Sequence, residues 1–65
     1  MKVDSKKIIL ILAEKSLTHT LLAESSGISR QSISTIIARG TCAPITAGKL
    51  ARGLGVDLNE IVKED

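Results

Sequence analysis

The sequence contains no phenylalanine, tyrosine or tryptophan. Its core must therefore be aliphatic, and base stacking on aromatic rings, a common grip on single-stranded nucleic acid, is excluded. A lone cysteine, Cys42, cannot close an internal disulfide, and one cysteine with one histidine, His19, cannot complete a four-ligand zinc site. No metal and no cofactor is expected. The apolar run Ile8-Ile9-Leu10-Ile11-Leu12 is five residues long, against the roughly 20 that cross a bilayer, and no small-residue cleavage site follows it. A cytoplasmic protein with no membrane partner is expected. The single histidine has no nucleophile and acid arranged around it, and acidic residues cluster only near the termini. No catalytic residue is assigned, and the chain is expected not to be an enzyme.

Acidic residues are also missing from the middle of the chain. No Asp or Glu occurs between Glu24 and Asp57, whereas Arg30, Arg39, Lys49 and Arg52 do, so residues 25–56 carry +4 although the whole chain is only +2. A basic middle between acidic ends favours a polyanionic partner. Sixty-five residues leave room for one domain, over residues 1–65, which buries about 60% of the surface its unfolded chain exposes. No stretch alternates as a strand does, and no repeat or low-complexity segment is present.

Five short helices are predicted. Asp4 or Ser5 caps the first, which runs to about Lys15 with Ile8, Ile11 and Leu12 on one face. Ser16-Leu17 connects it to a second helix over about His19 to Ser25, capped by Thr18, with Leu22 and Ala23 inward. Gly27 ends that helix, because glycine takes the left-handed conformation without steric penalty. Ser29 caps a third helix, about Arg30 to Ala38, with Ile33, Ile36 and Ile37 inward. Pro44 suits the entrance of a fourth, about Ile45 to Leu54, closed by Gly55. Asp57 followed three residues later by Glu60 reads as a capping-box-like pair opening a fifth helix, with Val56 and Ile61 as a hydrophobic staple.

Successive helical residues turn by about 100°, so the third helix opposes Ile33 and Ile36 with Gln31, Ser34, Thr35 and Ala38, and Arg30 flanks them. None of these is bulky enough to hold the helix off the floor of a DNA major groove. Arg30 suits guanine and Gln31 adenine, each by a bidentate pair, while Ser34 and Thr35 offer hydroxyls or a methyl to base edges. In isolation the same pattern describes a solvated helix face. The preceding helix and its glycine turn favour the groove.

The stretch from Thr18 to Ser34, with Thr18-His19-Thr20-Leu21-Leu22-Ala23 leading to Gly27-Ile28-Ser29-Arg30-Gln31, resembles the helix-turn-helix of the lambda-repressor and Cro family. The later Lys49-Leu50-Ala51-Arg52-Gly53-Leu54-Gly55-Val56-Asp57 through Ile61 is similar to that family's fourth and fifth helices. The resemblance covers about residues 6–62. It implies an all-α, five-helix lambda-repressor-like bundle with the helix-turn-helix at helices two and three. It further implies a transcription regulator, a repressor in the simplest case, that binds double-stranded operator DNA as a homodimer. Position by position, Arg30, Gln31 and Thr35 match base-reading residues. Thr18, His19 and Ser29 match backbone-contacting ones, and Arg39 and Thr41 match phosphate contacts in the following loop.

His19 is also a candidate pH-sensitive phosphate ligand, since histidine changes charge near neutral pH, and an ordinary exposed histidine is the competing reading. Cys42 lies in a loop expected near DNA, but with no resolving partner in the chain it is a poor oxidant sensor. Ile9 and Leu10 exceed what one core-facing stripe needs, so Leu10 is one candidate dimer contact, and Leu58, Ile61 and Val62 near the C-terminus form the competing surface. The alternative function is a module with the same fold that binds a protein partner through an apolar face, as an antitoxin or adaptor does.

Overall fold

Each helix begins where the chain offers a cap or a proline. A computed structural model describes residues 1–63, with α1 at Ser5–Glu14, α2 at His19–Ser26, α3 at Arg30–Arg39 and α4 at Pro44–Leu54. The Asp4 carboxylate accepts from the Lys7 amide at 3.1 Å, Thr18 Oγ1 from Leu21 at 3.1 Å, and Ser29 Oγ from Ser32 at 3.2 Å. Each bond satisfies a donor that the first helical turn leaves unpaired. No side chain caps α4; Pro44 opens it instead, at a position where an amide hydrogen would have no helical partner. These starts agree with the sequence to within a residue.

Between α2 and α3, Gly27 adopts φ 74°, a left-handed conformation that turns the chain within two residues of the next cap. The turn is braced from inside. Buried Ser26 accepts the Ile28 amide on its hydroxyl at 3.2 Å, and Ser25 Oγ donates to the Gly53 carbonyl of α4 at 3.1 Å. Here α2 and α4 come so close that a methyl group on Gly53 would lie 2.6 Å from Ser26 Cβ. One residue further along, the Lys15 ammonium donates to the Leu54 carbonyl at 2.7 Å, tying the end of α1 to the C-terminus of α4.

The core is the sum of the helical stripes: Ile8, Ile11 and Leu12 from α1, Leu22 from α2, Ile33 and Ile36 from α3, and Ala47, Leu50, Ala51 and Leu54 from α4. Val3, Ile28 and Ile61 complete it. Full burial of each isoleucine or leucine contributes about 1.5–3 kcal/mol, and no ring is needed to fill the centre. Ala23 and Ile37, expected inward, are half-buried at its edge, whereas Ile9 and Leu10 stand exposed.

The five-helix expectation is corrected to four helices. Leu58–Glu60 is a single 3-10 turn. Its start signal forms as the sequence indicates, with the Asp57 amide donating to Glu60 Oε2 at 3.2 Å, but the chain then leaves the helical path. The Ile61 carbonyl accepts the Asp4 amide at 2.7 Å, Val62 faces Val3 across an antiparallel bridge, and the Lys63 amide donates to the Lys2 carbonyl at 3.0 Å. A continuing helix would need the Ile61 carbonyl for its own i to i−4 ladder. The segment that diverts it, residues 1–4, also reaches the loop after α3: Val3 donates to the Gly40 carbonyl at 2.9 Å, and the Met1 carbonyl accepts from Cys42 at 3.0 Å. Residues 1–4 therefore bridge the end of α3 and the last described residues.

Candidate nucleic-acid interface

Two features set the rotation and extent of α3. Ile33 and Ile36 are buried, which turns the opposite side outward, and the ends are held by Ser29 and by Gly40 in a left-handed conformation. On that outward side Arg30, Gln31, Ser34, Thr35 and Arg39 are all exposed. Arg30, Gln31 and Ser34 line a shallow groove of about 350 Å³. Gln31 and Thr35 line a second, of about 500 Å³, together with Arg39 and Thr41. All four residues expected to read bases thus share one exposed face, and two of the expected phosphate contacts lie beside it.

Hydrogen bonding decides what each side chain still offers. Thr35 donates its hydroxyl proton to the Gln31 carbonyl at 3.0 Å, so outward it presents a lone pair, which suits the amino group of adenine or cytosine, and a methyl, which suits that of thymine. Among the described residues no hydrogen bond engages the side chains of Ser34, Gln31 or Arg30, and all three remain available. Thr18 accepts the Leu21 amide at 3.1 Å but keeps its proton to donate. Ser29, by contrast, accepts from Ser32 and donates to the Ser32 hydroxyl at 2.9 Å. Thr41 gives its proton to the Met1 carbonyl at 3.0 Å.

Thr18, His19 and Ser29 lie apart from these grooves, at the starts of α2 and α3, with His19 half-buried. Ser32, Cys42 and Thr46 join the second groove without having been assigned a contact from sequence. Thr46 could have been found from Pro44, which places it in the first turn of α4, where that turn meets the α3–α4 loop. Cys42 is half-buried and burial pushes its thiol up, partly opposed by the nearby terminal ammonium. That shift favours the neutral thiol and is the wrong direction for a reactive cysteine.

The candidate dimer residues separate sharply. Leu10 is 56% exposed on α1, next to Ile9 at 49%. Leu58 and Val62 are half-buried, and Ile61, at 0% exposure, is spent on the chain's own core. Among the described residues no group of three or more His, Cys, Asp or Glu could hold a metal ion, and no helix is long and apolar enough to cross a membrane.

A family model described as helix-turn-helix matches residues 8–61, from the middle of α1 through the 3-10 turn. No curated protein and no solved structure matches the chain.

Proposed function

We propose that this chain, which belongs to the lambda-repressor and Cro-like helix-turn-helix family, is a sequence-specific regulator that binds double-stranded operator DNA as a repressor. The observation that carries this reading is the outward side of α3, where Arg30, Gln31, Ser34 and Thr35 stand exposed and unobstructed by any large side chain. In this reading α3 enters the major groove. Arg30 pairs with guanine, Gln31 with adenine, and Ser34 and Thr35 discriminate by hydroxyl and methyl contact. Thr18, His19, Arg39 and the Ser29 and Thr41 backbone hold the phosphates on either side and so fix the register.

A homodimer follows from the small charge that one copy brings. Each phosphate neutralised contributes a slope of only about −0.9 to the salt dependence of binding, and the acid-free middle of one copy holds four basic residues. Two copies double the grip and read two half-sites. Of the candidate dimer residues, Leu10, beside Ile9 on α1, is the one that stands exposed for that contact.

The test is the shift of a labelled fragment from upstream of the protein's own gene, across a salt series, with Arg30→Ala and Gln31→Ala as controls. A sequence-dependent shift that both substitutions abolish is expected. Absence of any shift at low salt would replace this reading with a protein-interaction module.

A further inference from the structure

The start of α1, the end of α3 and the segment at residues 2–4 enclose a groove of about 720 Å³. Lys2, Lys6, Arg39 and Lys63 line it, with Asp4 as the one acid among the described residues that do. The Asp4 carboxylate is committed to the α1 cap, where it accepts the Lys7 amide at 3.1 Å. Lys6 and Lys63 are exposed. Ala38 and Gly40 form part of the lining, so the floor near the end of α3 is low enough for a bulky anion to settle between the cations.

The groove is built rather than accidental. Ser5 Oγ donates to the Ile37 carbonyl at 2.7 Å, which locks the first turn of α1 to the end of α3. Backbone bonds from Val3 to Gly40 at 2.9 Å and from Lys63 to Lys2 at 3.0 Å hold the other walls. Arg39 and Thr41 line both this groove and the one containing Gln31 and Thr35. The two therefore form one trough, running from the reading face of α3 past its C-terminus.

We propose that the basic groove holds the phosphodiester backbone of the same duplex, beyond the bases that α3 reads. The inference rests on the DNA-reading role of α3. A helix of ten residues is about 15 Å long, and a duplex carries one negative charge per about 1.7 Å of axis. Several phosphates thus lie within reach of the far end of α3, and Lys6 and Lys63 meet them there. These contacts add affinity and orient the domain on the duplex without contributing to base choice.

The experiment measures affinity for the selected duplex as a function of salt for wild type, Lys6→Gln, Lys63→Gln and their combination. Lys7→Gln is the control, since Lys7 neighbours Lys6 on α1 but does not line the groove. Each groove substitution should flatten the slope of log affinity against log salt by about 0.9, and the pair by about 1.8. The preferred base sequence should be unchanged, and the sugars flanking the outermost phosphates should lose protection in a hydroxyl-radical footprint of the double variant. A double variant whose slope and footprint match those of Lys7→Gln overturns the groove alone, provided wild-type binding still requires Arg30. A wild type that binds no duplex overturns the groove together with the reading on which it rests.

Discussion

Two glycines in α4 should respond to the same substitution with opposite sign. Neither Gly48 nor Gly53 has a positive φ, so alanine is conformationally acceptable at both, and inside a helix alanine is favoured over glycine by about 1 kcal/mol. At Gly48 the new methyl meets nothing within 4 Å. The gain stands there, and the melting temperature should rise by about 4–8 °C for a domain of this size. At Gly53 the methyl would sit 2.6 Å from Ser26 Cβ, 2.9 Å from Ser26 Cα and 3.0 Å from the Ser26 nitrogen. Two of those atoms are backbone, so no side-chain rotation relieves the clash and the last turn of α2 must move. Overpacking costs about 1–3 kcal/mol, and a backbone collision belongs at the upper end. Less the propensity gain, the net loss is about 2 kcal/mol, which lowers the melting temperature by about 8–16 °C.

The measurement is thermal unfolding followed by far-ultraviolet circular dichroism, because the chain has no aromatic residue to report by fluorescence. Ser26 directly precedes the Gly27 turn, so Gly53→Ala should also misplace α3 relative to α2 and weaken DNA binding at temperatures where the protein remains folded. A Gly53→Ala variant as stable as wild type, or a pair of variants shifting in the same direction, would refute the claim that the α2–α4 contact sets the turn.

The remaining expectations are more local. Arg30→Ala should weaken binding to the preferred duplex by about 1–3 kcal/mol, or roughly 5- to 150-fold, and relax the requirement at one base pair; equal losses on all sequences would assign Arg30 to phosphate instead. Lys15→Met removes the donor to the Leu54 carbonyl and should cost about 1 kcal/mol, read as a lower melting temperature that high salt does not abolish. Burial raises the Cys42 thiol, so its alkylation should reach half-maximal rate at higher pH than a free cysteine. The proton is held more tightly in the folded state, so this group's contribution to stability is complete at neutral pH and declines as pH climbs through the ordinary thiol value; a midpoint at or below that of free cysteine contradicts the burial argument. Leu10→Glu should convert a dimer to a monomer in sedimentation while leaving the helical spectrum intact, and an unchanged mass would remove α1 as the contact surface.

Signals that act within one turn of helix were legible in the chain. Asp4, Thr18 and Ser29 each bond an amide three residues on, so their effect is written in adjacent letters. The same holds for the rotation of α3, which follows from the spacing of Ile33 and Ile36. Contacts between distant segments left no local mark. Asp57 and Glu60 form the capping pair read from the sequence, yet the fifth helix expected from it is only a 3-10 turn, because Asp4 and Val3, more than fifty residues away in the chain, engage Ile61 and Val62. Gly53 reads as part of a helix end, because its close neighbour Ser26 belongs to another helix.

Those distant contacts also redistribute the proposed phosphate grip. Thr41 and Ser29 carry hydroxyls in suitable places, but the first donates to Met1 and the second to Ser32, so neither retains a proton for an incoming phosphate. The Arg39 side chain makes no hydrogen bond or ion pair among the described residues and lines both grooves. Residues 1–3, which carried no signal in the sequence, occupy the hydroxyl of Thr41 and at the same time bring Lys2 to the end of α3. The fold thus exchanges a polar contact in the loop for a cluster of positive charge beside it. Backbone binding should therefore be governed by charge and fall steeply with salt, and Thr41→Val should weaken it far less than Arg39→Gln does.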